Sequence, residues 1–333
     1  MKVLVSGGAG YIGSTVCSAL IDAGHTPVII DSLVTGREEF ARGRAFYRGD
    51  ISDGALLDRI LAEHPRIGCA LHFAALIVVP DSVANPYEYY TENVSKSLVF
   101  FKNLLDRGVA RIVFSSSASV YDDAPDFKVT EDSPLNPRSP YAKTKYITES
   151  ILSDFCAAYG LRAIALRYFN VIGADPQFRT GPHARAPSHV LGKLVSTASG
   201  EQERFALTGV DWPTRDGSGI RDYIHVWDLA RAHVLAAERF DEATARAGMA
   251  FVPINLGCGN GITVREFVAA FEKVYGKTIS KTESPPRDGD VAGAYTDTGR
   301  ALDLLGWKPE LAIEDGISDA LKWRRARPAI LGY

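Results

Sequence analysis

Residues 2–13 read Lys2-Val-Leu-Val-Ser-Gly7-Gly8-Ala-Gly10-Tyr11-Ile12-Gly13, an apolar run that breaks into glycines and then into a helical pattern. The run predicts a buried strand over Lys2–Ser6. Glycines at 7, 10 and 13 permit a tight turn, close approach of backbone to a pyrophosphate, and close packing of helix on strand. Amide groups at the helix start then hold phosphate. A glycine pattern by itself is a weak signal; set between a strand and a helix it predicts a dinucleotide site. The next strand candidate, Pro27–Asp31, ends on a carboxylate. A carboxylate there accepts from ribose hydroxyls and repels a 2′-phosphate, which favours NAD over NADP. Asp50-Ile51 and Phe73-Ala74-Ala75 close the third and fourth strand candidates, at the sheet edge where adenine and nicotinamide would lie. Ordinary turn and core residues would read the same way there.

Outward from the loop, short β-rich runs alternate with helical patterns. Ala45–Arg48, Ala70–Ala74, Ile112–Ser117 and Ala163–Tyr168 are further strand candidates, and Gly13–Ala23, Ala55–Glu63, Glu92–Arg107 and Tyr141–Tyr159 are helix candidates. Such alternation implies right-handed βαβ crossovers, and strands that are apolar throughout imply cover on both faces. The fold class read from this is α/β: a Rossmann-type doubly wound parallel sheet with a smaller mixed α/β C-terminal lobe. After Asn170 glycine, proline and arginine crowd 173–187, then helices recur near Ser188–Ser199, Val226–Arg239, Val264–Tyr275 and Ile313–Arg324. The expected division is 1–172 for the nucleotide-binding part and 173–333 for the substrate part, with the chain partly re-entering the first.

The 333 residues exceed what one core normally holds, in keeping with two lobes. A net charge of −3 gives no broad footprint for nucleic acid or anionic membrane. The four cysteines (Cys17, Cys69, Cys156, Cys258) show neither disulfide nor metal-ligand spacing. The apolar runs are too short to span a bilayer, and Met1 leads straight into a strand rather than a signal peptide. A cytoplasmic location is expected. His25, His64, His72 and His233 lack partners at metal spacing, so no metal site is expected.

The chemistry is carried by a second constellation. Ser139 suits a helix N-cap and Pro140 the first helical position. Tyr141 and Lys145 then share one face, one turn apart. An ammonium beside the phenol, together with an oxidised nicotinamide, lowers the tyrosine pKa and makes Tyr141 a base for a substrate hydroxyl. Arg111-Ile-Val-Phe-Ser-Ser-Ser117 predicts a strand ending in hydroxyls, and adjacent strand ends in a doubly wound sheet bring Ser117 beside Tyr141. Arg221, ahead of a helix, and Arg287, in the rigid turn Pro285-Pro-Arg287-Asp288-Gly-Asp290, are the candidate diphosphate grips; Asp290 suits a sugar hydroxyl. For any single arginine a solvated surface charge is the blander reading.

With GGAGYIGS, GDI, HFAA, FSSSASVY, SPYAKTK, LRYFNVIGA, DWPTRDGSGIRDYIHVWDLA, NLGCGNG and RxGD in order along nearly the whole chain, the sequence resembles the UDP-glucose 4-epimerase family of extended short-chain dehydrogenases. The resemblance implies tightly held NAD, a UDP-sugar substrate, and a homodimer pairing through helices near Glu92–Arg107 and Tyr141–Tyr159. It implies that Tyr141 is the base, that Lys145 orients it, and that Ser117 bonds the 4-hydroxyl. Tyr11, Ile12, Ser32, Thr35, Gly36 and Phe169 join the cofactor contacts; Asn170, His189, Thr208, Arg221, Tyr223, Arg287, Asp290 and Ala294 join the sugar-nucleotide contacts. The implied reaction takes hydride from carbon 4, lets the 4-keto sugar swing about its diphosphate, and returns hydride to the other face.

Departures from the family pattern are Ile77 for a lysine near the cofactor, Glu92 for an asparagine, His189 for an asparagine, Thr208 for an aromatic near uracil, and Asp122 for a glycine. Ala294 falls where a bulky residue excludes N-acetyl groups, which leaves room for UDP-GlcNAc and UDP-GalNAc. Nucleotide-sugar dehydratases and decarboxylases need an acid beside the Ser/Thr, and the run Ser115–Tyr121 has none. A UDP-xylose/UDP-arabinose 4-epimerase keeps the same machinery and stays open. A non-catalytic NAD sensor on this scaffold typically loses the Tyr or Lys; both are present here.

Overall fold

The computed structural model describes residues 1–286 and 291–333. Arg287 and Asp290 lie outside the described residues. The strand Lys2–Ser6 sits near the middle of a seven-stranded parallel sheet, ordered Phe251–Leu256, Arg162–Tyr168, Arg111–Ser117, Ile67–His72, Lys2–Ser6, Thr26–Asp31 and Ala45–Arg48. Alternate residues serve opposite layers. Val3 and Val5 face the layer containing the helices Tyr11–Asp22 and Val226–Glu238, while Leu4 faces Gly54–Glu63, Lys96–Asp106 and Pro140–Tyr159. That two-sided burial explains strands that are apolar at every position.

Helix ends are fixed by local chemistry. Ser139 Oγ accepts from the Ala142 amide at 3.2 Å, Pro140 opens the helix, and Gly160 closes it at φ 72°. The expected helix Glu92–Arg107 is divided: Thr91–Ser95 forms a π-helical turn ahead of Lys96–Asp106. The wider turn directs the buried Asn93 onto Leu76, whose amide donates to Asn93 Oδ1 at 2.8 Å and whose carbonyl accepts from Nδ2 at 2.9 Å. Strand Ile67–His72 ends before Phe73, and the last helix runs on to Leu331 instead of stopping at Arg324.

The second half divides its packing. Phe251–Leu256 adds the edge strand beside Arg162–Tyr168, and Phe240–Ala247 and Gly299–Leu305 support it from the first core. Val190–Ala198, Val264–Tyr275 and Ile313–Leu331 enclose a separate core. Beside that core lies a small four-stranded sheet, Ile262–Thr263, Ile220–Arg221, Gly293–Thr296 and Lys128–Val129. Among the described residues no helix is long and apolar enough to cross a membrane, and no group of His, Cys, Asp or Glu is arranged to hold a metal ion.

Candidate active site

Strand order reverses between Lys2–Ser6 and Ile67–His72, and the crevice at their carboxyl ends is where ligands bind in such sheets. Gly7 adopts φ 71°, and a Cβ there would lie 2.6 Å from the Ala74 nitrogen. A Cβ on Gly13 would lie 2.3 Å from the Gly7 oxygen. Gly10 caps the helix Tyr11–Asp22 without a side-chain bond, so the first-turn amides are left to an anion. Asp31 is buried; its oxygens accept from Ala9 at 2.9 Å and Leu33 at 2.8 Å, and burial pushes its carboxyl pKa up. Gly36 lies so close that a Cβ would meet Asp31 Oδ1 at 2.9 Å. A cradle that side chains would fill, a helix start without a side-chain cap and a carboxylate at the second strand end fit a dinucleotide.

Gly7, Asp31, Ser32, Thr35, Asp50, Ile51, Ala74 and Ala75 share one cavity. Other sequence-predicted cofactor residues do less there. The Tyr11 hydroxyl donates to the Gly173 carbonyl at 2.6 Å, and Ile12 and Phe73 pack against the core. Sequence reasoning missed Lys96, which lines this cavity and bridges Asp50 at 2.7 Å and Glu92 at 2.6 Å. The i,i+4 spacing of Glu92 and Lys96 was the available signal. Burial would raise the Asp50 pKa, but Lys96 and Ser52 outweigh it and hold the carboxyl below its ordinary range.

Ser117, Tyr141 and Lys145 come together as predicted. The Ser117 hydroxyl lies beside the Tyr141 phenol. The Lys145 ammonium lies 5.9 Å from the Tyr141 ring centroid and donates to the Ser115 carbonyl at 2.8 Å. Burial pushes the Tyr141 phenol up and the Ser117 hydroxyl pulls it down in part. Burial also lowers Lys145 to about 7, against the opposing pull of Glu149. Ser119, also missed, donates its hydroxyl to Ser117 Oγ at 2.9 Å.

Next to this trio opens a cavity of about 430 Å³ lined by Ser117, Tyr141, Phe169, Asn170, His189, Arg221 and Ala294. His189 Nδ1 accepts from the Gly192 amide at 3.1 Å, which leaves Nε2–H of the neutral ring as donor. Arg221 donates to the carbonyls of Ile220, Val291 and Ala292 and pairs in register with Ala294. The structure does not bring Tyr223 to this wall: its ring stacks on Phe267 at 4.1 Å, buried. Thr208 ends a strand paired with Ser284, also away from the wall. Ile77 is exposed and lines the sugar cavity. Asp122 accepts from Asn136 and Arg138, each at 3.1 Å, tying the loop at the cavity rim to the segment before Ser139.

Residues 3–251 match the model of the NAD dependent epimerase/dehydratase family. The chain belongs to that family. The chain is 42% identical to a UDP-glucose 4-epimerase of Azospirillum brasilense over 99% of its length and 94% of that protein. It is 38% identical to the Bacillus subtilis UDP-glucose 4-epimerase over 100% of this chain and 99% of that one. Among solved structures, a UDP-glucose-4-epimerase from Stenotrophomonas maltophila, with bound NAD and formylated UDP-arabinopyranose, superposes at TM-score 0.92 with 38% identity, covering 99% of both chains. One from Bifidobacterium longum, with NAD+ and UDP, gives TM-score 0.91 at 35% identity, covering 98% of this chain and 99% of that chain. The family resemblance read from the motifs and the doubly wound architecture both hold.

Proposed function

We propose that this member of the epimerase/dehydratase family is an NAD-dependent UDP-glucose 4-epimerase, interconverting UDP-galactose and UDP-glucose. The observation that carries the reading is that Ser117 and Tyr141 line the cavity reaching Arg221 and Ala294, with the Lys145 ammonium beside the Tyr141 ring. Gly7, Gly10, Gly13 and Asp31 would hold NAD, which when bound supplies a reversible hydride acceptor and so makes a 4-keto sugar reachable from either epimer. Tyr141 takes the proton of the sugar 4-hydroxyl and returns it. Ser117 orients that hydroxyl. Lys145, buried on the same helix face, stabilises the phenolate. Arg221 and His189 line the cavity where the nucleotide diphosphate and sugar would lie.

The test is to incubate purified protein with UDP-galactose, no NAD added, and follow conversion by anion-exchange chromatography. Conversion supports an epimerase that retains its cofactor; no conversion even with NAD supplied rejects the reading.

Three finer assignments belong to the same proposal. The cavity wall at Ala294 is small, which supports acceptance of UDP-GlcNAc and UDP-GalNAc. Tyr87, Leu98, Val99 and Tyr146 are exposed on Pro86–Tyr90, Lys96–Asp106 and Pro140–Tyr159, which supports a homodimer through that face, to be checked by light scattering. The four cysteines are free thiols, in keeping with a cytoplasmic setting. UDP-xylose/UDP-arabinose 4-epimerisation is the second reading, favoured by the arabinopyranose nucleotide held by the Stenotrophomonas relative.

A further inference from the structure

The helix Pro140–Tyr159 carries a third group on the face of Tyr141 and Lys145. Glu149 stands four residues past Lys145, one turn further along. Its side chain and that of Arg167 are each only 4% exposed. Arg167, on the strand Arg162–Tyr168, grips the carboxylate with two prongs, Nε to Oε1 at 2.9 Å and Nη2 to Oε2 at 2.6 Å. Ser116 donates to the same Oε1. Arg167 Nη1 continues to the Tyr121 hydroxyl at 3.0 Å, and Tyr121 lines the sugar cavity.

A buried ion pair is a poor source of stability, because desolvation cancels most of its attraction. Its location beneath Lys145 suggests another role. The titratable groups set against Lys145 are Tyr141 and Glu149 on its own helix and His72 on Ile67–His72; on Arg162–Tyr168, Tyr168 faces Tyr141 and Arg167 holds Glu149. His72 is neutral, held down to about 3 by burial and by Lys145. Among these described groups Glu149 is the one carboxylate. Burial lowers the Lys145 ammonium to about 7 even with the opposing pull of Glu149, one turn away, so without that carboxylate it sheds its proton more readily still.

We propose that Glu149, clamped by Arg167 and Ser116, is a positioning residue of the epimerase reaction: it keeps Lys145 charged and aimed at Tyr141. This rests on the roles given above to Tyr141 and Lys145. Arg167 fixes the carboxylate orientation and offsets its burial; Glu149 itself touches neither the sugar cavity nor the cofactor crevice.

The experiment compares wild type, Glu149→Gln, Glu149→Asp and the double variant Glu149→Gln/Arg167→Met. The readouts are the pH profile of kcat with UDP-galactose and the ultraviolet tyrosinate titration of Tyr141, taken as the difference from Tyr141→Phe. With the counter-charge gone, the alkaline limb of kcat moves down by about one pH unit and the Tyr141 titration moves up by a similar amount. At pH 8 kcat falls roughly tenfold, one pKa unit's worth, while KM holds within about twofold. Glu149→Asp recovers part of the shift. The double variant removes both buried charges, so it folds without an orphaned guanidinium; loss of the Arg167 cation offsets part of the effect, so its shift has the same direction and is smaller than that of Glu149→Gln. Profiles and titrations unchanged from wild type, with only Tm lowered, overturn the proposal. Wild type gives a further check that needs no variant: a carboxyl ¹³C shift showing Glu149 protonated at pH 7 overturns it too. The tyrosine titration needs no substrate, so a shifted titration in a protein that converts no UDP-sugar would sink the epimerase reading and leave the Glu149–Lys145 coupling standing.

Discussion

The Lys145 ammonium donates to the Ser115 carbonyl oxygen at 2.8 Å, so the helix that carries the base is pinned to the end of the strand that carries Ser117. One bond thereby sets both the height of Tyr141 over the strand end and the place of the positive charge beside it.

Lys145 is costly to bury. Its pKa in the folded chain is about 7 against an ordinary 10.5, so between those values the unfolded chain binds more protons and stability from this group rises with pH. Below about 7 the full cost is present. Lys145→Met therefore raises Tm at pH 6 by about 2–4 °C, the shift expected from roughly 1 kcal/mol in a chain of this size. Turnover falls ~10²–10⁴-fold. Calorimetry beside the epimerase assay checks both, and a lower Tm would contradict the sign.

Gly13→Ala places a methyl 2.3 Å from the Gly7 oxygen, a backbone atom with nowhere to go. The variant loses about 1–3 kcal/mol of stability through overpacking and is purified without cofactor. Absorbance of the supernatant after acid precipitation measures the NAD released; an undiminished content rejects the assignment of the cradle.

Asp31→Asn keeps the size but loses the charge that accepts from Ala9 and Leu33 and faces the ribose position. Losing a charge-assisted bond weakens NAD binding about 10–100-fold, and preference over NADP narrows. Calorimetric titration of cofactor-free protein with each dinucleotide reads the ratio, which should stay unchanged if Asp31 is only structural.

Ala294→Tyr narrows the sugar cavity that Phe169 and Ser117 also line. Conversion of UDP-galactose holds within a few-fold while conversion of UDP-GalNAc drops by ~10-fold or more, a steric difference of 1–3 kcal/mol. An equal loss for both sugars would show that the position shapes the cavity generally rather than the N-acetyl pocket.

The parallel sheet and both halves of the catalytic helix cap were legible because their signals are local: Gly7-x-x-Gly10, Ser139-Pro140, and the i,i+4 pair Tyr141 and Lys145. Asp31 could be read from its place at a strand end. What escaped depends on approach of distant segments. Lys96 enters the cofactor cavity because a π-helical turn at Thr91–Ser95 re-aims the helix behind it, and no periodicity announces such a turn. Tyr223 carries a polar handle that reads as a ligand contact, yet packing against Phe267 buries it. Arg167 looks like one basic residue in a strand until Glu149 is brought beneath it from 18 residues away.

Phe251–Leu256, drawn from the second half of the chain, forms the edge of the sheet begun by Lys2–Ser6, and residues 299–307 return to the same core after an excursion through the other lobe. The polypeptide is thus stitched back and forth across the cleft rather than strung as two beads. No single cut among the described residues leaves this first core intact, so its integrity depends on segments from both halves of the chain.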